Sequence, residues 1–563
     1  MSAVRRIERR AQVATGDDWP STWPTVLRRV HAARGSSTAD EAMPRLANLL
    51  PYAGLKGIDA AVDLLVKAMA RDAHIVVVGD FDCDGATACA VGVRGLRMLG
   101  ARRVSHAVPN RIVHGYGMTP GLVEELAALG PDLLVTVDHG IACHPGIAAA
   151  KARGWQVLVT DHHLPGRTLP DADAIVDPNQ PGDTFPSKAM AGVGVMFYVL
   201  LALRARLGVQ ADLGSLLDLV AVGTVADMVA LDTNNRALVG AGLRRLRARQ
   251  GCAGLRALIE IAGRNEASLG TADIGFAIGP RINAAGRLED MGIGIECLLS
   301  DDPAQARECA EVLHRINQER RGVQAGMQDL AEAQLAVLED VRAPVAVCLH
   351  DPDWHPGVVG LVASKLKERL HRPAIAFAPL ESGSEHLRGS ARSVPGFHIR
   401  DALALVDARH PGLIERFGGH AMAAGLSLHI AKLPAFTKAF IDVAETWMTP
   451  ELLTERVASD GQLDAADFSI DSAIALRDGG HWGQGYPEPV FDGVFEVLGW
   501  RIVGDRHLKL ELGQAGRRLN AIQFGGWDGE EPAATVQLAY RLAPDDYRGG
   551  DAIQLVVIHR EPA

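Results

Sequence analysis

Paired cysteines, aromatic residues and long apolar runs are all scarce in this 563-residue chain. None of its seven cysteines forms a C-x-x-C pair, so neither a zinc knuckle nor a disulfide framework is expected. This cysteine usage is typical of a reducing compartment and predicts a cytoplasmic protein. The longest nearly uncharged run, Ala189–Leu203, is shorter than the ~20 residues that span a bilayer. It predicts a buried core helix, and we expect no membrane partner.

The composition indicates a multidomain enzyme-sized chain rather than a single core. Hydrophobic residues make up 48% of it and aromatic residues only 5%, and a chain of this length is expected to divide into about three or four domains. The net charge of −11 does not exclude a nucleic-acid partner, because local basic patches decide such binding. Basic clusters at 243–250 and 365–372 are available for it.

The order of apolar runs predicts five regions. The basic N-terminus lacks the apolar segment of a secretory signal and predicts a surface arm. Alternating strand and helix patterns then indicate a parallel α/β sheet, a charged run from about 300 to 340 indicates a long connecting helix, and five short alternating runs near the C-terminus indicate a β-barrel. The predicted regions are an N-terminal arm at 1–50, a parallel-sheet domain at 51–265, a connecting helical segment at 266–340, a second α/β domain at 341–450 and an OB-like barrel at 451–563.

Acidic residues crowd together directly after the apolar run Ile75–Val78. Asp80, Asp82 and Asp84 repel one another, and a partly desolvated cleft holds such charges only if a cation or proton compensates them. Other acidic and histidine residues follow later apolar runs, namely Asp138, Asp161, His162 and His163. Ligands bind at the carboxyl edge of parallel sheets, so these side chains are predicted to form one site.

Carboxylates and imidazoles without cysteine suit Mg²⁺ or Mn²⁺ rather than structural zinc. A histidine ligand favours Mn²⁺ without excluding Mg²⁺. Two ions about 3.5–4 Å apart, bridged by a carboxylate, would hydrolyse a phosphoester. The alternative is structural: Asp80, Asp82 and Asp84 form a capped turn, and the TDHH segment is an exposed loop.

Four segments together resemble a known family. VVVGDFDCDGATA, VTVDHG, VTDHH and VAVGTVADMVAL are similar to the consecutive motifs of the DHH phosphoesterase superfamily. Further on, GFAIGPRINAAGRL, WHPGVVGLVASKLKE, GSARSVPGFHIRDAL and FGGHAMAAGLSL resemble its RecJ branch. The resemblance implies a DHH domain at 51–265, a DHHA1 domain at 341–450 and an oligonucleotide-binding fold at 451–563.

This resemblance implies a single-stranded-DNA-specific 5′→3′ exonuclease that uses two Mn²⁺ or Mg²⁺ ions and releases 5′-mononucleotides in recombination and repair. It also implies a single-strand-binding protein and a helicase as partners. The implied metal ligands are Asp80, Asp82, Asp84, Asp138, His162 and Asp227. Among them Asp138 is expected to bridge the two ions. Asp80 is either a direct ligand or a charge behind the ligands. For Asp227, the local sequence alone indicates a helix cap, and only the family resemblance makes it a ligand.

The implied catalytic set is Asp82, Asp84, Asp138, His162, His163 and Asp227. His163 is expected to meet the scissile phosphate, and Asp161 to orient a neighbouring imidazole.

Residues outside these motifs are candidates for holding the substrate. Arginine grips phosphate through a fork, and small residues expose backbone N–H groups to it. The candidates are Arg111, Arg281, Asn283, His355, Ser390, Arg392, Gly418, Gly419 and His420. The alternatives are solvated salt bridges for the arginines and a simple turn for the glycine pair. In the barrel, Trp500, Phe524, Trp527 and Tyr540 are available for stacking on bases, although some of them must be core.

Two other functions remain open from the sequence. A short-oligonucleotide hydrolase or phosphatase of the DHH type would use the same metal site but would not need the barrel. A catalytically silent scaffold for single-stranded DNA would keep the fold but would have no use for every acid and imidazole at the cleft.

Overall fold

The computed structural model describes residues 4–14, 18–111, 113–339, 344–504, 506–545 and 547–563. Among the helices in these ranges, none combines the length and the apolar character needed to cross a membrane. The N-terminal region contains β1 (Val4–Arg9), α1 (Thr25–Ala32) and α2 (Ala39–Ala42).

The first domain is a parallel sheet covered by helices on both faces. Its elements are α3 (Ile58–Ala70), β2 (Ile75–Val78), α4 (Cys83–Met98), β3 (Val104–Ala107), α5 (Pro120–Leu126), β4 (Leu133–Val137), α6 (His144–Ala152), β5 (Gln156–Thr160), β6 (Ala174–Val176), α7 (Gly192–Leu207), α8 (Leu217–Ala226), α9 (Thr233–Arg247) and α10 (Ala253–Ile261). The strands lie in the order β3-β2-β4-β5-β6, and all neighbours are parallel.

Burial on both faces explains why these strands are apolar throughout. Ile75 and Val77 of β2 belong to the core that contains α4 and α7. Val76 and Val78 belong to a second core, which contains α5 and α6. Strands β2, β4, β5 and β6 contain no charged residue, so charged side chains appear only beyond their ends. This requirement positions the site.

A helical segment connects the two α/β domains. It contains α11 (Thr271–Asp273), a π-helical turn (Ile274–Ile278), α12 (Gly279–Leu288), α13 (Gly292–Leu299) and α14 (Pro303–Glu339). The 37-residue α14 is the long helix that its charge pattern predicts. Leu313 on α14 packs in the first core, whereas Met327 and Ala331 pack against the next domain, so α14 ties the two together.

The second domain is a mixed sheet. It contains β7 (Val347–His350), α15 (Val359–Leu370), β8 (Ala374–Pro379), β9 (His386–Arg392), α16 (Ile399–Arg409), β10 (Arg416–Gly419), β11 (Ala423–His429) and α17 (Leu433–Trp447). The strand order is β10-β11-β9-β8-β7, with β7 and β8 parallel and the other neighbours antiparallel.

The C-terminal region is a closed five-stranded barrel with a short lead-in. Its elements are β12 (Thr454–Ser459), α18 (Ile470–Asp478), β13 (Phe491–Val503), β14 (His507–Gln514), β15 (Arg517–Gln523), β16 (Thr535–Pro544) and β17 (Ile553–Pro562). The barrel order is β13-β14-β15-β17-β16. The structure thus confirms the α/β class, the second α/β domain and the barrel.

The N-terminal region is not the expected surface arm. Strand β1 pairs in parallel with β12, in register from Val4 opposite Thr454 to Arg9 opposite Ser459. In α1 the buried His31 contacts Tyr486 at 2.7 Å and the Gly479 carbonyl at 2.9 Å. The expectation was wrong because the arginines that make β1 appear solvated have acidic partners in the C-terminal region, and because pairing satisfies backbone groups that β12 would otherwise leave open.

Candidate functional site

The acidic loop between β2 and α4 begins the site. Asp82 is the N-cap of α4, and its Oδ1 accepts the Gly85 N–H at 3.0 Å. Asp80 lies two residues earlier and is only 3% exposed. The cap directs the loop back over the end of the sheet, so the carboxylates that follow β2 are held close together.

Asp84 is fixed by the N-terminus of α7. The Gly192 N–H donates to Oδ2 of Asp84 at 2.6 Å, and the Val193 N–H donates to Oδ1 at 3.0 Å. A Cβ on residue 192 would come within 2.6 Å of the Asp138 Cβ. Glycine at this position therefore lets the helix end approach two site carboxylates at once.

Asp138 and His162 follow the adjacent strands β4 and β5. Asp138 has a φ of 65°, a left-handed conformation that aspartate tolerates better than most residues. Nε2 of His162 lies 3.0 Å from Oδ1 of Asp138, 3.7 Å from Oδ2 of Asp227 and 4.0 Å from Oδ2 of Asp84. Side chains from four separate elements therefore meet around one imidazole nitrogen.

Three overlapping groups of ligand atoms arise from this convergence. In each group the atoms lie within 4.8 Å of one another. The groups are Asp80, Asp82 and Asp138; Asp84, His162 and Asp227; and Asp138, His162 and His163. Asp138 belongs to two of these groups, and its Oδ1 lies 3.0 Å from His162 of the third, so this carboxylate adjoins all three groups.

The site has unpaired buried atoms that a cation would satisfy. Oδ1 of Asp80, Oδ1 of Asp138 and Nε2 of His162 are buried without a hydrogen-bond partner. The 3.0 Å contact between His162 and Asp138 is an approach of two atoms without hydrogen-bond alignment. Buried polar atoms are rarely left in this state, and carboxylates with an imidazole are suitable ligands for Mn²⁺ or Mg²⁺.

The raised pKa values of the acids show that nearby positive charges do not compensate their negative charges. Burial, and then the charge of Asp82, raises the pKa of Asp80 to about 8 and that of Asp227 to about 7. Burial and neighbouring aspartates also raise the pKa values of Asp84 and Asp138 well above the ordinary range. A divalent cation would hold these groups in their charged form.

The two histidines of the site differ in charge. Burial, and then the charge of His163, lowers the pKa of His162 to about 4, so that its imidazole is neutral and has a lone pair for a metal. Burial acts to lower the pKa of His163, but the hydrogen bond to Asp161 and the charges of the surrounding aspartates together outweigh burial and raise the pKa to about 9. A cationic His163 is suited to a phosphate oxygen.

Asp161 orients the histidines rather than facing the metal position. Its Oδ1 accepts Nδ1 of His163 at 2.8 Å and the His162 N–H at 2.7 Å, and its Oδ2 accepts the Ile141 N–H at 2.9 Å. Burial acts to raise the pKa of Asp161, but the hydrogen bond from His163, the charges of the two histidines and the Ile141 N–H together outweigh burial, so the pKa of Asp161 lies well below the ordinary value. Both carboxylate oxygens are therefore occupied by donors of the protein.

Arginines from both α/β domains gather beside the acidic loop. The Arg111 guanidinium lies 4.0 Å over the Phe81 ring. Arg392 donates to the Ser390 hydroxyl at 2.9 Å. Arg287, which the sequence analysis did not select, donates to the Gly357 carbonyl at 3.2 Å. Burial, and then the charges of Arg111 and Arg320, lowers the pKa of Arg287 to about 9. Such mutual repulsion favours a bound anion.

Three predicted substrate residues instead contact the protein. Arg281 donates to the Ala277 carbonyl at 2.5 Å and to His314 at 3.1 Å, so it fastens α12 to α14. Asn283 accepts the Cys83 N–H at 2.8 Å and so supports the acidic loop. His355 accepts the Gly357 N–H at 3.0 Å. The Arg281 guanidinium turns to α14, so its predicted phosphate contact stays a prediction, whereas the charge of Arg287 interacts with Arg111 and Asp82.

The β10–β11 turn of the second domain faces the histidines of the first. Burial, and then the charge of His163, lowers the pKa of His420, so His163 of the first domain acts electrostatically on this turn. Gly419 has a φ of 139°, and a Cβ there would lie 2.5 Å from the Ala423 carbonyl oxygen. At Gly418 a Cβ would meet nothing within 4 Å, so this position is open.

The barrel aromatics divide into core and surface. Tyr540 is 1% exposed and belongs to the core. Trp500 and Trp527 stack on each other with centroids 5.5 Å apart, and Phe524 is 63% exposed. Only the last three are accessible to a partner.

Comparison with known proteins agrees with this architecture. Residues 74–224 match the DHH family, N-terminal domain, residues 340–446 match the DHHA1 domain, and residues 459–559 match the RecJ OB domain. The single-stranded-DNA-specific exonuclease RecJ of Dickeya dadantii is 46% identical over 581 residues, which cover 100% of both chains. The chain belongs to the RecJ family.

Solved RecJ structures have the same fold. RecJ of Thermus thermophilus in complex with Mn²⁺ matches with a TM-score of 0.80 at 32% identity, over 96% of this chain and 76% of that one. The complex of RecJ from the same organism with Mg²⁺ matches with a TM-score of 0.75 at 30% identity, over 96% and 74%. Both ions that the donor set favours are therefore found with RecJ structures.

Proposed function

We propose that this chain is a metal-dependent exonuclease that hydrolyses single-stranded DNA from its 5′ end and releases 5′-mononucleotides. One observation carries the proposal: strand-end carboxylates and a neutral His162 converge with unpaired buried atoms, directly beside a cluster of arginines. The carboxylates match a pair of divalent cations, and the arginines match the phosphates of a strand.

The metal ligands in this proposal are Asp80, Asp82, Asp84, Asp138, His162 and Asp227. When bound, Mn²⁺ or Mg²⁺ supplies the Lewis acidity that activates a water and stabilises the leaving oxygen. Asp138 holds the position that adjoins all three ligand groups. His163, kept cationic by Asp161, donates a hydrogen bond to the scissile phosphate.

The phosphate grip comes from both α/β domains. Ser390 and Arg392 of β9, together with Arg287 and Arg111, hold the 5′-terminal phosphate, and Gly418, Gly419 and His420 close the opposite side. The 5′ assignment rests on membership of the RecJ family. The barrel holds the strand further along, with Trp500, Trp527 and Phe524 as its accessible aromatics.

The cellular setting follows from the same activity. We place the chain in the cytoplasm on the basis of seven free cysteines, and in DNA recombination and repair. A helicase would supply the single strand, and a single-strand-binding protein would keep it unpaired.

The test is hydrolysis by the purified chain after treatment with a chelator. We expect no release of mononucleotide until Mn²⁺ or Mg²⁺ is restored, and then release from a long single strand in preference to a dinucleotide. Preference for the dinucleotide would favour a short-oligonucleotide hydrolase. Tight strand binding without turnover in either metal would favour a silent scaffold.

A further inference from the structure

Two large apolar side chains are exposed near the end of α8 that carries Asp227, although burial would be their ordinary state. Met228, the residue after Asp227, is 70% exposed, and Phe276 is 77% exposed. Both positions have unusual backbone. Met228 has a φ of 66°, a conformation that costs roughly 1–2 kcal/mol for a residue with a Cβ. Phe276 lies in the π-helical turn, a feature found frequently at functional sites.

The π-helical turn packs against the end of α8 that carries Asp227. A Cβ on Gly279 would lie 3.1 Å from the Ala226 Cβ, and a Cβ on Gly275 would lie 3.9 Å from Val225. On the same turn Ile274, Ala277 and Ile278 are buried. The turn is therefore anchored on one side, and Phe276 projects from the other.

Helix α12 connects this apolar pair to the arginine cluster. Its first residue, Gly279, touches the end of α8, Asn283 supports the acidic loop, and Arg287 lies among the arginines. The helix thus forms one wall of the site. A phosphate-binding group lies at its C-terminal end and the apolar pair lies before its N-terminal end.

We propose that Met228 and Phe276 form a nucleobase platform, which holds the bases on the 3′ side of the cleaved bond while the terminal phosphate lies on the arginines. This inference rests on the proposed exonuclease function. Stacking on an aromatic ring and contact with a polarizable thioether both tolerate any base, as an exonuclease that degrades every sequence requires. An anionic backbone with splayed bases matches a wall that is cationic at one end and apolar at the other.

The experiment measures binding without hydrolysis, by fluorescence anisotropy of a 5′-phosphorylated single strand in EDTA. We expect Phe276→Ala and Met228→Gly each to raise the Kd about tenfold. Glycine is the informative replacement at 228 because it relieves the positive φ, so this variant should unfold at the same temperature or higher while it binds less well. Phe276→Trp should bind as the wild type does. Leu129→Ala is the control, because Leu129 is 43% exposed and precedes β4, at the opposite end of that strand from Asp138.

A second arm replaces the bases next to the cleaved bond by abasic residues. The wild type should lose about tenfold in affinity for this strand, and Phe276→Ala should lose little more than it has already lost. Unchanged binding by both variants, or an equal abasic penalty in wild type and Phe276→Ala, would overturn the platform. Failure of the exonuclease proposal would be seen separately, as no label release by the wild type in Mn²⁺.

Discussion

Nε2 of His162 and Oδ1 of Asp138 lie 3.0 Å apart, both buried and neither with a hydrogen bond. The contact joins the ends of the paired strands β4 and β5. Two electron-rich atoms at this separation repel each other unless a proton or a cation lies between or beside them. This relationship is the basis for the proposed metal centre and for the predictions that concern it.

Substitution of either residue should abolish hydrolysis without loss of the fold. Asp138→Asn is the sharper change, because asparagine tolerates the φ of 65° but is a poor bridge between cations. We expect a loss of about 10³-fold in kcat or more, and the same for His162→Ala. Thermal unfolding of Asp138→Asn in EDTA should not fall, since a repelled carboxylate is removed. Asp442→Asn, on the exposed face of α17, is the control, and substantial turnover by Asp138→Asn in saturating Mn²⁺ would refute the assignment.

Metal addition should stabilise the folded chain. A ligand that binds only the native state stabilises it by about 2.7 kcal/mol at a hundred times its Kd, and calorimetry in EDTA and in Mn²⁺ measures the shift. Asp138→Asn should lose most of this shift. An equal shift in that variant would show that manganese binds elsewhere.

The arginine cluster should act on the substrate and not on the metal. Arg287→Ala and Arg392→Ala are expected to raise KM for a 5′-phosphorylated strand and to reduce the salt dependence by about one phosphate contact. Strands with a 5′-hydroxyl should be affected less. Arg102→Ala is the control, because it removes an exposed ion pair with Asp72 before the first residues of β3 and β2, at the edge of the sheet opposite the site. If the two cleft variants show wild-type kinetics with both strands, the cluster does not hold the terminal phosphate.

His31 should make stability depend on pH. Burial, opposed by the hydrogen bond to Gly479, lowers its pKa to about 3 in the folded chain, against an ordinary value of 6.5. Between these values the unfolded chain binds the additional proton. The contribution of His31 to the free energy of unfolding is therefore fully present above pH 6.5. It is lost as the pH falls, by about 1.4 kcal/mol per pH unit, which amounts to about 2 kcal/mol at pH 5.

His31→Gln removes this titration and tests it. The difference in unfolding free energy between wild type and variant should shrink as the pH falls from 7 to 5, which denaturant titrations at several pH values would measure. Asp80 and Asp227 have raised pKa values, so they increase the free energy of unfolding as the pH falls, opposite to His31. They do so equally in wild type and variant, and the difference between the two proteins therefore isolates His31. A constant difference would contradict the assignment.

The sequence predicts which acidic and histidine side chains meet at the edge of the sheet, because the central strands are apolar on both faces. In β2 and β4 no polar residue interrupts the buried run except Thr136, so strand ends are readable and the residues after them must share an edge. Distance along the chain does not matter for this inference. It predicts that Asp80, Asp138 and His162 lie close together, and the structure shows that they do.

Positions that depend on helix phase or remote pairing are less predictable. Arg281 and Arg287 both lie on α12 among glycine and alanine, so no apolar stripe indicates which one faces the cleft. The sequence favours Arg281, and the structure turns it to α14. Strand β1 was missed because its partner Thr454–Ser459 lies at the other end of the chain and nothing local indicates the pairing.

The most direct test of the central claim uses one single strand labelled at either its 5′ or its 3′ end, together with the matching blunt duplex, in Mn²⁺. A duplex about 20 Å wide should not enter a cleft that accepts one strand with splayed bases. We expect the 5′ label to leave first, as a mononucleotide, from the single strand, while the duplex is spared. Stepwise loss from the 3′ end, or equal degradation of the duplex, would contradict the account.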